Sequence, residues 1–170
     1  MSNETGKCKK ANQCLKAVGT QVEAVEKRMI EAYNILVSIC PEGNEVVADV
    51  KIVDLERIKV SHAGLDFHIK FCLVSDDDDI EGAIIYSALR KPSYPQTLKP
   101  NPEGKKEEKP LLSFSVDDLG KISSEGKLED EWWLTGNGKD VHAAVEEMHY
   151  RALNLIWHDA LNWVNEPLLP

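Results

Sequence analysis

Residues 140–165, DVHAAVEEMHYRALNLIWHDALNWVN, repeat their apolar side chains at helical spacing. Wrapped at 3.6 residues per turn, Val141, Ala144, Val145, Met148, Ala152, Leu155, Ile156 and Trp163 fall on one stripe. Asp140, Glu147, Arg151, Asn154 and His158 face the other way, and Glu147 precedes Arg151 by four residues, the favourable order on a solvated helix face. In the last three turns Leu153, Trp157, Leu161 and Val164 add a second apolar stripe. A helix apolar over that much of its circumference needs two surfaces to pack on. One is a sheet; the other is a second helix or another subunit.

Working outward, the N-terminal third carries a second helix. Ala11, Leu15, Val18, Val22, Val25, Met29, Ala32, Leu36 and Ile39 recur in alternating steps of four and three, with Thr5 or Asn12 as caps and Cys40-Pro41-Glu42-Gly43 as the stop. Gly19, Thr20 and three valines weaken that seam as a free coiled coil, so it reads as an amphipathic helix lying on a sheet.

Between the helices the period changes to two. Val46, Ala48, Val50 and Ile52 alternate with polar or outward positions, as do Ile58 and Val60, and then Leu65, Phe67, Ile69, Phe71 and Leu73. Ala63-Gly64 and residues 75–79 are turns, and residues 83–89 (AIIYSAL) are apolar on both faces, which suits a central strand. Residues 91–110 hold five prolines and eight charges and read as a long surface loop. Strands follow at 111–116, 121–124 and 128–135, separated by the turn 117–120, and Gly136-Asn137-Gly138 precedes the final helix. The expectation is one α+β domain over residues 1–170: a long N-terminal helix, an antiparallel meander of about six or seven strands, and a long C-terminal helix packed on the sheet. Strands and helices do not alternate, which argues against a parallel nucleotide-binding sheet.

Composition narrows function by exclusion. The net charge of −9 disfavours non-specific affinity for nucleic acid or anionic membranes. No apolar run approaches the ~18 residues that span a bilayer, and no apolar core follows the N-terminal lysines, so the cytoplasm is the expected location. Cys8, Cys14, Cys40 and Cys72 show no metal-type spacing and read as free thiols.

Candidate chemistry is sparse. His142, Glu146 and His149 are weak metal candidates, for Glu146-x-x-His149 has the spacing of di-iron bundles but no second copy exists. His142 and His149 lie about 10.5 Å apart along the axis, too far to share one ion. Residues 76–79 with Glu81 lack the glycine and spacing of a calcium loop. His68 and Cys72 share a strand face but stand about 13 Å apart. No cofactor is implied, and no glycine-rich phosphate loop or nucleophile elbow occurs.

The aromatic residues say more. Trp132 and Trp133 are adjacent on a strand and must point to opposite faces. The expected function is therefore binding: a small adaptor-, inhibitor- or chaperone-like protein without catalytic activity. It would act as a homodimer, or on a protein partner, through Trp133, Leu153, Trp157, Leu161 and Val164. The alternatives are an enzyme, hydrolytic or metal-dependent, whose residues meet only in the fold, and a binder of a small apolar ligand between sheet and C-terminal helix.

Overall fold

The computed structural model describes residues 2–40, 51–76, 79–90, 107–124 and 126–166, with side chains from Gln21 onward in the first helix. Helix α1 (Ser2–Ile39) leads into strands β1 (Ile58–His62), β2 (Leu65–Asp76), β3 (Asp79–Arg90), β4 (Glu107–Val116), β5 (Lys121–Ser124) and β6 (Glu131–Trp133), and helix α2 (Gly138–Val164) follows. The strands form one antiparallel sheet in chain order, a pure meander. Each hairpin follows from its turn chemistry. Ala63 and Gly64 both have positive φ, as a two-residue turn with right-handed twist demands. At the β4–β5 turn one Asp117 carboxylate oxygen accepts from the amides of Leu119 and Lys121, and Gly120 supplies the left-handed residue at φ +88°.

Alternation divides the sheet into two faces. Ile58 and Val60, Phe67, Ile69 and Phe71, Ile84 and Tyr86, Leu112 and Phe114, and Ile122 and Trp132 are register partners on one buried face. Both helices pack on that face. Tyr33 of α1 meets Phe71 edge-on at 5.3 Å, and α2 brings Val145, Met148, Ala152 and Ile156 into the same hydrophobic cluster. Gly82 marks the closest approach, since a Cβ there would lie 2.4 Å from the Met29 sulfur. The helices also pack on each other, side by side and in the same direction: Ser38 lies beside His142 and Cys40 beside His149.

This arrangement corrects several expectations. Helix α1 begins at Ser2 rather than near Ala11, so neither Thr5 nor Asn12 caps it. Its buried arc adds Tyr33 and Val37 to the expected seam, because the helix faces sheet and α2 at once. The anticipated strand through Val46, Ala48 and Val50 lies outside the described residues, and its end at Ile52–Asp54 is a single 3-10 turn. Of the 75–79 turn, Asp76 and Asp79 are instead paired strand ends, and the tip lies outside the described residues, as does most of the calcium candidate. The loop read over 91–110 is shorter, for Glu107–Pro110 belong to β4; residues 91–106 are outside the described set. A bulge opposite Tyr86–Ser87 accommodates Pro110, which cannot donate to a regular ladder. Salt bridges from Arg90 to Glu107 and Arg57 to Glu108 hold the start of that strand. The strand read over 128–135 contracts to Glu131–Trp133, since the Leu128 amide goes to the Ser124 hydroxyl instead of a ladder. Six strands stand among the described residues.

Helix α2 starts two residues before Asp140, capped by the Asn137 side chain on the Asp140 amide. Its buried arc is centred between the two stripes read from sequence. Leu155, on the far side of the first stripe, is therefore exposed, while His149, Leu153 and Ala160 turn inward.

Candidate functional site

The seam between α1 and α2 holds two features. The first is a cleft of about 600 Å³ where α1 passes the start of α2. Ile35, Leu134 and Val141 give it apolar surface; Arg28, Glu31, Asn34 and His142 give it polar groups. Arg28 is held in place from both sides. Its guanidinium donates to the Leu134 carbonyl at 3.2 Å and lies 3.6 Å from Glu31. Its shaft crosses Gly120, where a Cβ would come within 3.2 Å of Nε. The residue that shapes the β4–β5 turn thus also leaves room for the cleft's one arginine.

The second feature lies further along the seam, where three elements deliver one polar side chain each. The His149 ring, 2% exposed, has Nδ1 at 2.9 Å from the Tyr86 hydroxyl and Nε2 at 3.5 Å from Cys40 Sγ. Tyr86 is fully buried, and burial first, then the nearby Cys40, push its hydroxyl well above the usual tyrosine range. It is therefore a donor at all ordinary pH. Among the described residues His149 is its hydrogen-bond partner, so the phenol donates to Nδ1. The imidazole then carries its proton on Nε2 and donates to the Cys40 sulfur. Burial, with a smaller contribution from His62, lowers the His149 pKa to about 4, so the ring is neutral at pH 7. A cavity of about 220 Å³ adjoins this chain, with Cys40, His149, His62, Lys59 and Ser61 in its wall.

The residues singled out from sequence are spread more widely. His149 points inward to Tyr86, whereas His142 and Glu146 stay on the surface as a 3.5 Å pair, with the Ser38 hydroxyl 3.4 Å from the other ring nitrogen. The three do not converge, and among the described residues no group of three or more His, Cys, Asp or Glu side chains is placed to hold a metal ion. His68 and Cys72 sit half-buried on the face of the sheet away from both helices. Trp132 is buried on Phe114, and Trp133 on the opposite face is 44% exposed. Leu153 is only 1% exposed within a single chain, and Trp157, Leu161 and Val164 are half-buried.

Cys40 and Tyr86 were not legible as site residues. Cys40 read as a free thiol in the stop that follows the first helix. Tyr86 did carry a signal, since a tyrosine inside an apolar central strand must find a partner for its hydroxyl. Among the described residues no helix is long and apolar enough to cross a membrane. Comparison with protein-family models, with curated proteins and with solved structures finds no match to this chain, so the reading of its site rests on the geometry alone.

Proposed function

We propose that the protein is a small-molecule binder that seats its ligand in the cleft between α1 and the start of α2. The observation that carries this reading is the cleft itself. Its volume, about 600 Å³, falls in the range of ligand pockets, and apolar walls with a few convergent polar groups are their usual composition. Arg28 adds preorganisation, because its position is fixed before any ligand arrives. The ligand class is a molecule with an apolar body and a polar head. This differs from the purely apolar ligand expected between sheet and C-terminal helix, since Arg28, Glu31 and Asn34 bring polar groups to the cleft wall that a purely apolar ligand would desolvate.

Thermal shift measurements against a panel of metabolite-sized compounds test the proposal. A ligand at a hundred times its Kd stabilises the folded state by about 2.7 kcal/mol, a shift of several degrees here. Gly138 offers the control. It lines the cleft, and a Cβ there meets nothing within 4 Å, so the backbone accepts a side chain and Gly138→Phe adds bulk at the cleft wall. The shift should vanish in Gly138→Phe and survive in Trp133→Ser. A panel without any shift, or a shift that Gly138→Phe retains, removes the reading.

A second reading, a protein-binding homodimer, draws support from Trp133, whose indole stands on a face that neither helix covers. Such an interface would use Trp133, Trp157, Leu161 and Val164, and would exclude Leu153, which the chain already buries. Light scattering on wild type and on Trp157→Glu/Leu161→Lys decides it: a wild type that is monomeric at micromolar concentration ends the dimer reading.

A further inference from the structure

We propose that Cys40 is a covalent capture site for small α,β-unsaturated carbonyl compounds, built by the Tyr86–His149–Cys40 hydrogen-bond chain and the cavity beside it. The inference is independent of the cleft and rests on three observations.

The sulfur is both shielded and reachable. Cys40 is 7% exposed, yet it is one of the residues that line the 220 Å³ cavity. A small planar molecule can enter such a space and a bulky reagent cannot. The sulfur also has a fixed donor. With the phenol donating to Nδ1, the Nε2–H of His149 is directed at Sγ and stabilises a thiolate more than a thiol. That donor has work to oppose, because Cys40 follows the last turn of α1, where helix carbonyls disfavour negative charge. Finally, among the described residues Lys59, His62 and Ser61 stand in the cavity wall and no carboxylate does. These are donors for an oxygen on which negative charge develops.

The chemistry balances without a co-reactant. The Cys40 S–H proton leaves to solvent, and the thiolate pair forms a bond to the β-carbon of the unsaturated carbonyl. The C=C π pair moves into an enolate, whose oxygen the rim donors receive, and the α-carbon then takes a proton from solvent. The product is a thioether, with no change in proton count and no oxidant. His149 is a positioning and donor residue here, since its Nε2 already carries a proton and accepts none.

The test uses the full chain under native conditions with acrylamide as the probe, followed by digestion and mass spectrometry of each cysteine. Cys72, half-buried on the other face of the sheet, is the internal reference. Cys40 should react about tenfold faster than Cys72, in line with activation of a thiol by its surroundings. His149→Phe should bring the rate to or below that of Cys72, and His149→Asn, which restores an N–H, should recover part of it. A bulky maleimide should label Cys72 and spare Cys40, which separates a cavity of limited size from general exposure. Because His149→Phe also perturbs the core, the wild-type ratio is decisive by itself. Cys40 reacting no faster than Cys72, or reacting at a rate that does not depend on acrylamide concentration, overturns the proposal.

Discussion

His149 makes the stability of this protein depend on mild acid. Its imidazole is buried and neutral, with a pKa lowered to about 4, whereas an unfolded chain titrates it near 6.5. Between those values the unfolded state binds the extra proton, so stability is complete above about pH 6.5 and falls as pH drops toward 4. The full difference of about 2.5 units is worth about 3 kcal/mol, of which about 2 kcal/mol is lost by pH 5. For a chain of 170 residues that is a fall in Tm of about 4–8 °C. The chain carries four histidines besides His149. The assay is therefore a difference: Tm and urea midpoints from pH 7.5 to 5 for wild type and for His149→Gln. The glutamine variant starts lower, because Tyr86 and Cys40 lose their partner, but its pH profile should be flatter by about 2 kcal/mol over that range. Parallel profiles would refute the idea that a buried neutral imidazole sets the acid limit.

Two further outcomes test the packing. Gly82→Ala places a methyl group against the fully buried Met29 and should cost about 1–3 kcal/mol, most of it recovered in Gly82→Ala/Met29→Val, as read by urea denaturation. Among the described residues the buried Trp157 indole N–H has no hydrogen-bond partner, so Trp157→Phe should lower stability by less than about 1 kcal/mol, the lost packing being offset by removal of the unsatisfied donor; a loss above about 2 kcal/mol would reveal a partner for that nitrogen.

The fold was readable wherever one physical signal dominated. Alternation in residues 65–73 and the turns at Ala63-Gly64 and Asp117-Gly120 gave the meander, because hairpin register is a local property. The errors fall where long-range contacts outweigh local pattern. Glu107–Pro110 look like loop until Arg90 of β3 pairs with Glu107 and Arg57, just before β1, pairs with Glu108. Leu155 lies on a regular stripe, yet the helix rolls so that His149 and Leu153 go inward, because Tyr86 and Cys40 offer the histidine its partners. The site was illegible for the same reason. Cys40, Tyr86 and His149 stand 46 and 63 positions apart along the chain, and only the stacking of both helices on one sheet face joins them.

That stacking has a consequence for how the polypeptide is made. The meander can zip up hairpin by hairpin as it leaves the ribosome, since every strand pairs with its neighbour in sequence. Its apolar face cannot be closed by α1 alone, because Ile122 and Trp132 and half the seam wait for α2, which is made after the whole sheet. At about 5–20 residues per second, the interval between completing β3 and completing α2 is on the order of 10 s. During it a nascent sheet presents Phe67, Ile84 and Phe114 to solvent or to whatever chaperone attends it. Shortened chains that stop before Gly138 should therefore be the aggregation-prone products of this gene, and the final helix is what ends that vulnerability.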